Sequence, residues 1–480
     1  INSIEDIVRV IAHQHHSGLS SLFGFGVGQD LKNVDRNVFY LSQGGIGLPN
    51  MEYYTDENKK DILIKYEEYI EKNFLRVFKQ KNEAKISADN VLRFETELAK
   101  VMYPPAMMRI PEKTYNKTAM VDLKKQFKGF DISLFISELK VDEPDTVIVG
   151  VPEFVENIPL MLNTFSLDEW KDYLNWTIIR KASPYLDQAF VDLHFEFYGK
   201  VLRGRKELKK IEDRAIEEIT SSELSEILGK AFVKDHFSEE AKNKVNTMVD
   251  NLLVVFQQRI ENLDWMSKTT KKEALIKLNA IGRKLGYPDH WEDYSSIEIN
   301  SNSFFQNIVA LYMFSVQKNH EEINKPVDKD KWGMPAHMVN AYYHPLLNEI
   351  AFPAGIMQAP FFDENAEDAV NYGGIGMVIG HEFTHGFDDM GSKFAADGTF
   401  KNWWTEEDRK LFEEKTKKLG ETYAHFCPIS DNCVNPELTM GENIADLGGL
   451  TMAFHAYKMT EEYKSGKMVK GFTPAQRFFI

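Results

Sequence analysis

The stretch "VIGHEFTHGFDDMG", residues 378–391, limits the local fold more than any other part of the chain. His381 and His385 stand four apart, so on a helix they project from one face and can hold a single ion together. Glu382 then lies about 100° around the same helix, beside the ion. From there it can take a proton from an attacking water, as a general base must. Lone helical histidines are usually structural, so a third ligand decides the matter. Catalytic zinc generally takes three protein groups.

One zinc pattern would place another histidine six residues after His385, but position 391 is Gly. A spacing of about twenty residues points instead to Glu406 or Glu407 in "WWTEED". There Thr405 also looks like an N-cap and the acids favour a helix start. The better candidate lies in "MGENIADLGGL" (440–450), where Glu442 and Asp446 are four apart on a helix otherwise small or apolar. Two carboxylates in such surroundings are costly unless they meet cations or donors. Glu442 as third ligand resolves the first. Asp446 as acceptor for a ligand histidine's outer N–H resolves the second, and Asp388, three residues after His385, can serve the other histidine. Gly448 and Gly449 would let this helix pack closely against another. The alternative, a helix-start acid followed by a solvent-facing Asp446, stays open on these residues alone.

A chain of 480 residues suggests two or three domains. Its formal charge of −16 disfavours nucleic acid or an anionic membrane as partner, because both are polyanions. No apolar run approaches the roughly 18–20 residues needed to cross a bilayer. Most of the chain reads as helix. Residues 238–265 have Ser238 as cap and a stripe through Val245, Met248, Val249, Leu252, Leu253 and Phe256. The next helix is expected to open with a Thr270–Glu273 capping box and to end at Gly286-Tyr287-Pro288. Strand signals are few: "TVIVG" (146–150), "HMVNAYY" (337–343) and "EIAFP" (349–353). The chain is expected to change lobe at the Pro-rich 103–113 and the polar 292–303.

The flanks of the histidine motif fit a cleft. "HMVNAYY" alternates like an edge strand, which can pair with an extended peptide, and the amide of Asn340 suits gripping a peptide backbone. Ile356, Phe361, Met377 and Val378 are candidates for an apolar pocket near the metal, and each reads equally as plain core. The "HQHH" at 13–16 lacks helical ligand spacing and reads as surface.

The segments "VNAYYHPLLNEIAFPAGIMQAPFF", "NYGGIGMVIGHEFTHGFDDMGSKF", "DGTFKNWW" and "TMGENIADLGGL" together resemble the neprilysin family of zinc metallopeptidases. Weaker matches such as "GLPNMEYY", "FYGKVLRG" and "WMSKTTKKEALIKLNAIGRKLGYPD" extend the resemblance along essentially the whole chain. It implies one zinc on His381, His385 and Glu442, with Glu382 as base. It implies Asp446 and Asp388 as carboxylates behind the histidines, and Asn340 with Ala341 on the substrate backbone. The implied fold is mainly α with a small sheet: a thermolysin-like zincin catalytic lobe and a second helical lobe enclosing a cavity that admits peptides of modest length. By position, residues 1–105 would begin the catalytic lobe, 106–295 would form the helical lobe, and 296–480 would complete the zinc-binding lobe. The expected activity is zinc-dependent endopeptidase cleavage of oligopeptides on the amino side of hydrophobic residues. The rival is a zinc-retaining fragment or inactive homologue that binds peptides without turnover.

The chain departs from the family pattern at its ends. It begins at Ile1 and stops at "TPAQRFFI", where Thr473 can cap, Pro474 suits the first helical position, and Phe478, Phe479 and Ile480 would have little to bury against. That leads to the expectation of a longer enzyme, with a companion C-terminal fragment supplying an intermediate-stabilising histidine and a substrate-holding arginine that the family implies. Cys427 and Cys433, the only two cysteines, could close a small disulfide loop or remain free thiols. Scarce cysteines, against the disulfide-rich extracellular animal members, favour a bacterial periplasmic or surface-bound setting, with a cytoplasmic one open.

Overall fold

The computed structural model describes residues 1–429 and 432–480. The chain divides into two compact units. The first contains Ile1–Gln29, Arg36–Glu223 and Asp293–Pro326; the second contains Asp30–Asp35, Leu224–Glu292 and Val327–Ile480. These cuts differ from the expected boundaries. Residues 36–105 share a unit with all of 106–223, whereas 224–292 join the unit that carries the histidine motif.

In the first unit, helix α1 (Ile4–His16) starts at Ser3, whose hydroxyl accepts the Asp6 N–H. It buries Ile7, Val8, Ile11 and Ala12. The helical period carries that face on to His15, so the expectation that "HQHH" lies on the surface fails for two of its residues: Gln14 and His15 are buried, while His13 is exposed and His16 half-buried. Helices α2 (Lys60–Phe78) and α3 (Lys81–Ala99) pack together, burying Tyr66, Ile70 and Phe74 on one side and Ala84, Ala88 and Val91 on the other. A capping box between Ser166 and Glu169 opens α4 (Leu167–Ala182). Four strands form a sheet ordered β1-β2-β4-β3: β1 (Phe23–Asp30), β2 (Asn33–Gln43), β3 (Asn116–Ala119) and β4 (Thr146–Val149). Strand β4 is the expected "TVIV" run, and its burial on both sides fits a central strand with a parallel neighbour, β2.

The second unit is built around α5 (Glu239–Asn262), capped by Ser238 as expected. Helix α6 (Lys268–Asn279) differs from expectation at both ends. Ser267, not Thr270, caps it, and it stops at Asn279 because the next residues become strand β5 (Gly282–Gly286). Strand β5 pairs in parallel with β7 (Glu349–Pro353), and β6 (Tyr342–His344) lies antiparallel on the other side of β7, so the order is β5-β7-β6. Of the "HMVNAYY" run only its end is strand, and β6 is an edge as expected.

The histidine motif forms α7 (Met377–His385), entered through a π-helical turn at Tyr372–Gly376. Thr405 caps α8 (Glu406–Tyr423), and Asn435 caps α9 (Pro436–Tyr457), whose second helical position follows a proline at the first. Near the end of the chain, Phe478 is buried against Tyr457 and Phe454, contrary to expectation, while Phe479 and Ile480 are exposed. Cys427 and Cys433 are joined as a disulfide. The fold is thus mainly helical with two small sheets. Among the described residues no helix is long and apolar enough to cross a membrane.

Candidate metal centre

Glycine brings the two functional helices into backbone contact. A Cβ on Gly380 of α7 would lie 2.8 Å from the Gly449 Cα of α9, and one on Gly449 would lie 2.6 Å from the His381 amide nitrogen. A Cβ on Gly448 would press on the Thr384 hydroxyl at 2.5 Å. Glu442, Asp446 and Gly449 share one face of α9 because they are spaced four and three apart. Seating Gly449 on α7 therefore lays Glu442 and Asp446 over the two histidines.

The side chains meet as that geometry requires. Nδ1–H of His381 donates to Asp446 Oδ1 at 2.8 Å, and Nδ1–H of His385 donates to Asp388 Oδ2 at 2.8 Å. A carboxylate can only accept, so each ring carries its proton on Nδ1 and presents a bare lone pair at Nε2. The two Nε2 atoms are 2.9 Å apart, and Glu442 Oε2 lies 3.1 Å from one and 3.5 Å from the other. Three lone-pair donors this close repel unless a cation joins them. Tetrahedral zinc, with bonds of about 2.0–2.1 Å, would separate its ligand atoms by about 3.3–3.4 Å, so the triangle fits the ion. Among the described residues this is the one group of histidine, cysteine or acid side chains that converges in this way.

The carboxylates earn their places differently from the sequence expectation. Glu442 and Asp446 are 66% and 56% exposed, so desolvation is not what demands a partner for them. Asp388 is buried, and its Oδ1 also accepts the backbone N–H groups of Met390 and Gly391. Position 391 has no room for a ligand: a Cβ there would collide with the His385 carbonyl. Glu406 and Glu407 are exposed in the first turn of α8 and take no part in the cluster.

Glu382 is buried beside the histidines. Burial pushes its pKa up to about 7; His385 and the Tyr343 backbone N–H pull it down, while the Glu442 carboxylate pushes it up. That value suits a base working near neutral pH, and a nearby divalent cation would further favour its anion. His385 is held above its ordinary value: burial opposes the charged ring, but the Asp388 hydrogen bond and the surrounding carboxylates outweigh it. A proton would therefore compete with any metal ion for this ring.

A cavity of about 410 Å³ opens on His381, His385, Glu442 and Glu382. Asn340 and Ala341 line it, as expected, although the Asn340 Oδ1 here accepts the Ala341 N–H at 2.9 Å. Ile356, Phe361, Met377 and Val378 do not line it. Ile356 is part of the unit's apolar core and the other three pack against that core. The apolar lining comes instead from Tyr343, Pro345, Met390 and Phe394. Tyr343 was signalled by the alternation that puts it on the same side as Ala341; Met390 and Phe394 belong to the turn after α7, which has no period to read.

Two helix-borne histidines with a glutamate between them, and a third donor, a carboxylate from a later helix, define a zincin-type centre. Family models described as Peptidase family M13 match residues 1–288 and residues 340–480, and the chain belongs to peptidase family M13. It is 31% identical to Neprilysin-3 of Drosophila melanogaster over 98% of this chain and 62% of that protein. It is 34% identical to the Neutral endopeptidase of Lactobacillus helveticus over 91% of this chain and 67% of that protein. The structure of Mycobacterium tuberculosis zinc metalloprotease Zmp1 in complex with an inhibitor matches it with a TM-score of 0.95 and 34% identity, over 100% of this chain and 74% of the other. The chain therefore spans less than two thirds of the length of relatives such as Neprilysin-3. The family implies zinc, in agreement with the chemistry of the donor set.

Proposed function

We propose that this chain carries the catalytic centre of a zinc-dependent endopeptidase that binds one zinc at His381, His385 and Glu442. The observation that carries the proposal is the convergence of two bare imidazole nitrogens and a carboxylate oxygen beside the buried Glu382. When bound, zinc supplies Lewis acidity that polarises a scissile carbonyl and acidifies water. Glu382 accepts the proton of the attacking water and delivers it to the leaving amine. Asp446 and Asp388 hold the two rings in the tautomer that leaves Nε2 free.

The substrate on this reading is an oligopeptide cleaved on the amino side of hydrophobic residues. Edge strand β6 offers an extended peptide a backbone to pair with, Asn340 and Ala341 stand beside it, and Tyr343, Pro345 and Phe394 give the cavity apolar contact. The Cys427–Cys433 disulfide supports an extracytoplasmic setting, periplasmic or at a cell surface.

The test is hydrolysis of a peptide mixture by the wild type and by Glu382→Gln, with zinc content measured on the same samples. The wild type should cleave, and the variant should keep its zinc yet lose about 10²–10⁴-fold in rate, because an amide cannot take the water's proton. Near-normal hydrolysis by Glu382→Gln would sink the mechanism. A zinc-loaded wild type that binds peptides and leaves them intact would establish the non-catalytic rival.

A further inference from the structure

Lys277 is a buried lysine at a position where helix α6 otherwise buries Thr270, Ala274 and Leu278. Burying an amine there is costly unless its N–H groups are satisfied. Its Nζ donates to two backbone carbonyls of the turn that follows α7, Gly391 O at 2.6 Å and Phe394 O at 2.7 Å. Burial brings its pKa down to about 7, with Asp388 opposing, but the contact does not depend on the charge. The neutral amine still has two N–H donors for the two acceptors.

The residue it holds is the one that fixes Asp388. Gly391 gives its carbonyl to Lys277 and its N–H to Asp388 Oδ1 at 2.6 Å, which leaves Asp388 Oδ2 for the His385 ring. A second link leaves the same lysine through its backbone. The Lys277 carbonyl accepts Asn348 Nδ2 at 3.1 Å, and Asn348 Oδ1 accepts the Tyr343 hydroxyl at 2.8 Å. Tyr343 is the residue whose backbone N–H faces Glu382. We propose that Lys277 is a positioning residue for the metal centre: its amine pins the 388–394 turn so that Asp388 orients His385 toward the ion. This inference rests on the zinc site proposed above.

The experiment is a double-mutant cycle on zinc affinity, read by chelator competition for the wild type, Lys277→Met, Asp388→Asn and the double variant. Lys277→Met should weaken zinc binding about 10–100-fold, as loss of support behind a metal ligand does. In the Asp388→Asn background the same change should cost less than about 3-fold, because the support through which Lys277 acts is already gone. Lys277→Gln, which restores N–H donors, should bind zinc more tightly than Lys277→Met, and it replaces Lys277→Met in the cycle if that variant lacks the wild-type circular dichroism spectrum. An unmoved affinity in Lys277→Met, or a full penalty on top of Asp388→Asn, overturns the inference while leaving the zinc site standing. A wild type that binds no zinc overturns the site itself, and the inference with it.

Discussion

His15 and His385 are the same side chain in opposite settings. His15 sits between Phe23 and Phe135, with its Nε2 2.9 Å from the Ser21 carbonyl and no carboxylate among the groups that shift it. Burial pulls its pKa down to about 4; the Ser21 carbonyl opposes this, while Lys181 and His320 add to it. A folded value below the unfolded 6.5 means the native state prefers the neutral ring. Its contribution to stability is complete above pH 6.5 and is lost as pH falls through 4, a difference of about 3 kcal/mol. An NMR titration of the His15 ring should give a midpoint near 4, and a midpoint near 6.5 would contradict the buried placement. His385, with Asp388 beside it, is shifted the other way. The burial of His15 was legible, since it continues the Ile7 and Ile11 face of α1, but the lack of ligand spacing in "HQHH" pointed to surface and the apolar face was not followed to its end. Lys277 carried a similar signal, a lysine on the buried face of α6; its partners, two carbonyls in a turn more than a hundred residues away, were not readable from spacing.

Helices α7 and α9 meet where side chains are absent. Gly449→Ala would place a methyl 2.6 Å from the His381 amide nitrogen and 2.7 Å from the Met377 carbonyl, both backbone atoms that cannot swing aside. The variant should lose about 1–3 kcal/mol in chemical denaturation and bind zinc more weakly, because Glu442 rides on the displaced helix. Leu447→Ala, on the exposed side of α9, should stay within about 0.5 kcal/mol of the wild type. Equal stability of Gly449→Ala and the wild type would show that the helices do not touch through their backbones. The close approach was legible in "GENIADLGGL", and so was the helical period that pairs Glu442 with Asp446. Strands were less so. The β1–β2 hairpin was missed, because "FGFGVGQD" is broken by glycines, and β5 was absorbed into the preceding helix because "GRKLG" has no alternation of its own.

Across the whole molecule, residues distant in sequence join one unit, and this is the part that pattern reading located least well. The division between Glu223 and Leu224 follows "TSS" (220–222), a short turn-prone cluster where one helix gives way to the next, too brief beside the Pro-rich and polar stretches to be read as a change of lobe. The three proposed ligands come from one unit, from α7 and α9, and all lie within Val327–Ile480. Zinc per chain, determined by elemental analysis after exhaustive dialysis, tests that ligand set most directly. The wild type should hold one zinc, Glu442→Ala should lose most of it, and Glu406→Ala should keep it. Retention by Glu442→Ala with loss from Glu406→Ala would contradict the assignment.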